Sequence, residues 1–174
     1  EKNFQQLKML VHTSVCRNLF LTQELIYILK LFEKNGIPTI AFKGLTLAIS
    51  AYQDLSFRQV GDLDILLSKE AIKPAQELLI AEGFQLIGNY EWESHYFRID
   101  GNVHIDLHQE IAPRVYGLPF DFQQLWSRPK PINLGGTFIP HLQPEDLLLL
   151  LTMVWCRDCT YLISPLSLHL LSDV

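Results

Sequence analysis

The segment Lys43–Asp64, KGLTLAISAYQDLSFRQVGDLD, constrains this chain more than any other. An apolar run, Ile37–Phe42, leads into Lys43-Gly44, and a helix-like stretch, Leu45–Tyr52, follows directly. A polar loop carrying Arg58 then delivers Gly61-Asp62-Leu63-Asp64 at the start of a second apolar run. The order strand, glycine, helix gathers backbone N–H groups and a helix N-terminus at one point, where a phosphate is stabilised. Read as a strand, 62–67 puts Asp62 and Asp64 on one face and Leu63 and Ile65 on the other. Same-face residues in a strand lie about 6.5–7 Å apart, so two aspartates can lean onto one cation. Asp106, in Val103–His108 (VHIDLH), becomes a third carboxylate if its strand pairs with 62–67, since neighbouring strands lie about 4.8 Å apart. Three such groups repel unless a divalent ion neutralises them, and oxygen donors favour Mg2+ or Mn2+ over zinc. Two ions about 3.5–4 Å apart would activate an attacking oxygen and clamp a leaving phosphate. The plainer structural alternative is that Asp62 closes the turn after Gly61 and Asp64 pairs with Arg58.

The remaining pattern supplies a frame for that segment. Apolar positions Leu7, Leu10, Val11, Val15 and Leu19 recur at helical steps, and a second set runs from Leu25 to Phe32. They predict two helices broken near Phe20–Thr22, with Thr22 as N-cap, ending at Asn35-Gly36 and Pro38. A helix over Lys69–Glu82, capped by Ser68 and stopped by Gly83, follows the second strand. Short strands are expected at Phe84–Ile87, Tyr96–Ile99 and Val103–His108, with a hairpin turn at Asp100-Gly101-Asn102. The stretch Asn89–His95 reads as a polar-aromatic loop. A short helix spans Phe120–Trp126, and a second hairpin joins 129–134 to 137–140 through Gly135-Gly136. Pro144 opens a helix whose run Leu147–Leu151 is apolar all round, which calls for deep burial or for packing on a missing segment. Leu166–Val174 is again helical. The expected organisation is an α/β chain with a small mixed sheet: an N-terminal helical region (1–36), a core (37–140) and a C-terminal helical region (141–174) that the sequence leaves inside a helical pattern, as in a trimmed chain.

With 174 residues, 48% hydrophobic and 19% charged, the chain can bury one sizeable core and is not disordered. A net charge of −5 excludes bulk attraction to nucleic acid. No apolar run reaches the about 18 residues of a membrane span, and no signal peptide is visible at Glu1. Three cysteines, with Cys156 and Cys159 as one C-x-x-C and no second pair, argue against both a disulfide framework and a zinc site. They point to the cytoplasm and to ordinary helix thiols. The three tryptophans, without basic interleaving, are expected in the core or at contacts and not as a base-stacking platform.

The stretch GIPTIAFKGLTLAISAYQDLSFRQVGDLDILL, with VHIDLHQEI after it, resembles the uncharacterised bacterial nucleotidyltransferase family of the DNA polymerase beta-like superfamily. The match runs from about Leu25 to Asp173 and includes Leu142–Leu148 (LQPEDLL). The superfamily's glycine turn, acidic-x-acidic pair and later acidic residue map to Gly44, Asp62 with Asp64, and Asp106. The family's Lys-Gly turn and preceding arginine map to Lys43-Gly44 and Arg58. Two departures stand out: Lys43-Gly44 replaces the usual Gly-Ser, and Trp155-Cys156-Arg157 stands where the family often has histidine. The resemblance implies transfer of a nucleoside monophosphate from an NTP, ATP foremost, to an acceptor, with release of pyrophosphate. In it Asp62, Asp64 and Asp106 hold Mg2+ or Mn2+, Asp106 helps activate the acceptor, Gly44 lets backbone approach phosphate, and Lys43 and Arg58 neutralise phosphate charge. A small molecule, a peptide or a protein hydroxyl would serve as acceptor.

Two other readings compete. The same fold without turnover would be a nucleotide- or partner-binding module. Alternatively, His104, Asp106 and His108 alternate on one strand face and would suit a transition-metal hydrolase. His12, His95, His141 and His169 stand isolated, and Glu110 extends the acidic face.

Overall fold

The computed structural model describes residues 2–110 and 122–170. One helix, α1 (Lys2–Lys34), forms the N-terminal region. The break expected near Phe20–Thr22 does not occur. Instead of capping a new helix, the Thr22 hydroxyl donates to the Asn18 carbonyl one turn back, 2.8 Å away, and is satisfied inside a continuous helix. From residue 21 onward Leu21, Leu25, Ile28, Leu29 and Phe32 form a buried stripe, whereas every residue from 3 to 13 is exposed.

Strand β1 (Thr39–Ala41) leads to Lys43 and helix α2 (Gly44–Leu47), which continues into one π-type turn through Tyr52. Strand β2 (Asp62–Leu67), helix α3 (Lys69–Ala81), and strands β3 (Gln85–Asn89), β4 (Glu93–Arg98) and β5 (Val103–His108) follow. Gly83, at φ 84, ends the α3 region as expected. Ser68 takes the extended cap conformation without a side-chain cap bond. Helix α4 covers Phe122–Ser127, so the expected start at Phe120 and Asp121 lies outside the described residues. A hairpin of β6 (Lys130–Leu134) and β7 (Thr137–His141) turns at Gly135-Gly136, and α5 (Pro144–Leu170) closes the described chain.

Five strands form one mixed sheet in the order β1-β2-β5-β4-β3, with β2 and β5 parallel and the other pairs antiparallel. One face carries Leu63, Ile65, Leu67, Val103, Ile105, Leu107 and Tyr96, and buries them against α1 and α3. The other face divides in two. Near β1, Ile40, Phe42 and Leu66 pack under Leu125, Leu142, Leu147, Leu150 and Met153 from α4, the β7–α5 link and α5. Further along, the same face carries polar groups. Helix α5 is not buried all round: Leu147 and Leu150 face inward, but Leu148 and Trp155 are exposed, which removes Trp155 from the core. Cys16 and Cys156 are exposed and Cys159 is half-buried. Among the described residues no helix is long and apolar enough to cross a membrane.

Candidate functional site

The polar half of that sheet face is built by register. Asp64 on β2 lies opposite Asp106 on β5, which lies opposite His95 on β4. One step along, His108 lies opposite Glu93, and one step the other way Asp62 lies opposite His104. Strand alternation puts all of these side chains on one face. Three carboxylates, separated in sequence by up to 44 positions, thus share one face of two adjacent parallel strands, with Asp64 directly opposite Asp106.

Asp64 is buried (5% exposed), and two donors reach the same oxygen. Lys43 Nζ lies 2.7 Å and His108 Nε2 3.0 Å from Asp64 Oδ1. Burial alone would raise the Asp64 pKa, but the His108 hydrogen bond and the Lys43 and His108 charges outweigh it and hold Asp64 below the usual carboxylate range. Its expected pairing with Arg58 does not form: Lys43 takes that place, and Arg58 is exposed, with no ion pair among the described residues. Asp62 opens β2 at the solvent edge and forms no ion pair among the described residues. Partial desolvation and the neighbouring Asp64 charge raise its pKa. Asp106, half-buried, is pushed up to about 6, by desolvation first and then by Asp64 and Asp62, against the opposing pull of His95. Two carboxyls that resist ionisation beside a third are an arrangement that a divalent cation relieves, and their oxygens are hard donors suited to Mg2+ or Mn2+. The residues present therefore fit such an ion. One ligand atom each from Asp64, Asp106 and His108 lies within 4.8 Å of the others.

The turn beside the acidic face is strained. Lys43 has φ 61 and ψ −153, a region almost reserved for glycine, which costs on the order of 1–3 kcal/mol. It is held there from both ends: Nζ by Asp64, and the carbonyl by the Leu47 N–H and the Thr46 hydroxyl, both at 2.8 Å. Gly44 follows at φ 33, and a Cβ there would meet Val60 Cγ1 at 3.3 Å and the Asp62 carbonyl oxygen at 3.4 Å. Glycine is thus required by conformation and by the approach of the β2 entry.

Several contributors escaped sequence reasoning. Asn18, fully buried on α1, donates to the Leu55 and Arg58 carbonyls, both at 2.7 Å, and accepts from the Val60 N–H at 3.3 Å. It pins the Arg58 loop to the helix. Glu93 and His95 belong to β4 and not to a loop: Glu93 Oε1 accepts from His95 Nε2 at 3.0 Å, and Glu93 Oε2 lies 3.0 Å from His108 Nδ1. The alternation Glu93-Ser94-His95 was the available signal. Among the described residues His104 does not join Asp106 and His108 as a trio; its ring packs tilted against Phe97, with centroids 4.7 Å apart. Glu110 pairs with Lys69. His141 is buried, and desolvation lowers its pKa although Nδ1 lies 3.0 Å from the Ala41 carbonyl. A groove of about 540 Å3 opens elsewhere, between α1, β1 and β7, and none of the acidic strand residues lines it.

Residues 2–174 match the family model described as uncharacterised nucleotidyltransferase. The chain belongs to this family. Its fold is similar to that of the lincosamide antibiotic adenylyltransferase LnuA in its lincomycin-bound crystal structure, with a TM-score of 0.58 and 20% identity over 73% of this chain and 83% of that one. It is also similar to a putative nucleotidyltransferase from Thermotoga maritima, with a TM-score of 0.57 and 17% identity over 83% of this chain and 91% of that one. At these identities the likeness is one of fold. No curated protein matches the chain. The mixed sheet with flanking helices is thus the nucleotidyltransferase architecture.

Proposed function

We propose that this chain is a metal-dependent nucleotidyltransferase that moves a nucleoside monophosphate from an NTP to an acceptor hydroxyl and releases pyrophosphate. The observation that carries the reading is the convergence of Asp62, Asp64 and Asp106 on one sheet face beside the Lys43-Gly44 turn. Asp62, Asp64 and Asp106 would hold Mg2+ or Mn2+. When bound, the metal would neutralise charge that develops on transfer.

The chain's own groups have separable tasks. Asp106, ionised when it holds the ion, accepts the proton of the acceptor hydroxyl as that oxygen attacks the α-phosphorus. The bond from the α-phosphorus to the bridging oxygen breaks, and pyrophosphate leaves with the electron pair. Lys43 neutralises Asp64 while the site is empty and turns its charge to the phosphates when nucleotide arrives. Arg58, exposed on a loop pinned by Asn18, supplies a second cation. Gly44 leaves room for phosphate against backbone N–H groups. Similarity to an adenylyltransferase makes ATP the first nucleotide to test and a small hydroxylated molecule the first acceptor, ahead of a peptide or protein hydroxyl. The compartment that fits an NTP-using chain with this cysteine usage is the cytoplasm.

A second reading, a binding module of the same fold without turnover, is favoured by one observation: Asp64 is already bonded to both Lys43 and His108. Thermal unfolding with each NTP, with and without Mg2+, separates binding from none. Ligand at 100 times its Kd adds about 2.7 kcal/mol, which for a chain of this size shifts Tm by several degrees. The shift should require Mg2+ and vanish in Asp62→Asn, whose side chain is exposed and whose loss leaves the fold intact. No shift with any nucleotide would sink the transferase reading. A shift without pyrophosphate release over a panel of hydroxylated acceptors would favour the binding module.

A further inference from the structure

Glu93 reaches toward both Asp64 and Asp106 through histidines. The cross-strand register sets Glu93 opposite His108 and His95 opposite Asp106. One Glu93 oxygen accepts from His95 Nε2 at 3.0 Å, and that nitrogen also lies 4.0 Å from Asp106 Oδ2. The other oxygen lies 3.0 Å from His108 Nδ1, a charge contact without the alignment of a good hydrogen bond. His108 Nε2, on the far side of the ring, contacts Asp64 at 3.0 Å. Burial and one further contact fix the ring: it is 1% exposed, and Phe42 meets it edge-on with centroids 5.0 Å apart.

His108 lies close enough to Asp64 and Asp106 to complete a ligand trio for a metal ion. Its bonding opposes that role. A carboxylate is an acceptor only, so the nitrogen that meets Asp64 is the donor and carries a hydrogen. An N–H has no lone pair to give a metal. The other nitrogen faces Glu93 and points away from Asp64.

Resting on the reading that the aspartates hold a divalent ion, we infer that Glu93 is a positioning residue of that site. It holds His108 and His95, which brace Asp64 and Asp106, and His108 acts as a strut and not as a ligand. Supporting carboxylates of this kind tune metal sites, and their loss costs about 10–100-fold in metal affinity. His95, half-exposed, forms the weaker arm.

The test is Mn2+ binding to the full chain, followed by electron paramagnetic resonance with and without ATP, for the wild type and Glu93→Gln. Glu93→Gln keeps the shape and removes the charge, and circular dichroism reports whether it folds. The expected result is a loss of about 10–100-fold in Mn2+ affinity, no directly bound nitrogen in the wild-type spin-echo spectrum, and changed His108 ring nitrogen resonances in the metal-free variant. A fold-only role for Glu93 would lower stability and leave Mn2+ affinity alone. Unchanged affinity in folded Glu93→Gln therefore overturns the inference, as does a nitrogen bound directly to Mn2+ in the wild type. If Glu93→Gln does not fold, His95→Gln takes its place: a loss of affinity supports the brace and unchanged affinity overturns it. A wild type that binds no Mn2+ under any condition overturns the underlying metal reading and this inference with it. That outcome is distinct from Mn2+ binding that ignores Glu93.

Discussion

Asp106 shows how one side chain records the needs of a site at the expense of the fold. Its carboxyl is pushed up to about 6 by desolvation and the neighbouring aspartates. A carboxyl whose folded pKa lies above its unfolded value of 3.8 favours the folded state when protonated. That advantage is complete below the unfolded value and is lost as pH rises through the folded one. Asp106→Asn should therefore raise the stability of the metal-free protein at pH 7.5 by about 1–2 kcal/mol, and change it little near pH 4. Urea denaturation at the two pH values checks this. Because binding a cation requires the ionised form, the stabilisation that Mn2+ confers should shrink below pH 6, which thermal unfolding with and without Mn2+ reads directly. Asp64 behaves oppositely, held ionised by His108 and Lys43. The two aspartates of one Asp-x-Asp pattern thus sit in different surroundings: Asp62 is exposed and unpaired among the described residues, whereas Asp64 is buried and bonded twice. The identities were legible in the residues, but burial and partners were not, because both come from elements distant in sequence.

At the scale of elements, the loop 53–61 is ordered from two directions. Asp54 caps its short helical turn by accepting from the Ser56 N–H at 2.7 Å, a local contact of the kind that turn sequences announce. Asn18 fastens its far end across 37–42 positions of sequence. Asn18→Ala would strip three hydrogen bonds made by a fully buried side chain, at a cost of about 2–3 kcal/mol. It should also reduce the Mg·ATP-dependent Tm shift, because Arg58 would lose its anchor. A stability loss with an intact shift would separate the loop from nucleotide binding. Helix α1 was legible as helical but not as continuous. The polar residues near Thr22 looked like a break because a cap and a back-bonded hydroxyl use the same residue types.

Across the whole molecule, the apolar clusters and the proposed site occupy different regions. The sheet buries one face against α1 and α3, and half of the other under α4 and α5, and the polar half stands outside both apolar clusters. The N-terminal third of α1 takes no part in either: residues 3 to 13 are all exposed, including Phe4, Leu7, Leu10 and Val11. Removing residues 1–13 should change unfolding free energy by less than about 1 kcal/mol, since no core contact is lost. A larger loss in urea denaturation would show that this arm packs on the fold.

What the residues alone determined was local and chemical: a glycine turn after a short apolar strand, an acidic pair on one strand face, a third aspartate on a later strand, and the family those features resemble. Alternation and turn chemistry are short-range, and a short segment suffices to state them. Only the tertiary structure decided which strands are neighbours, and therefore that Asp64 faces Asp106 across a parallel pair and that Glu93, His95 and His108 stand behind them. Register between strands far apart in sequence depends on how the whole apolar pattern packs, since a slip of one residue would turn every one of these carboxylates to the other face.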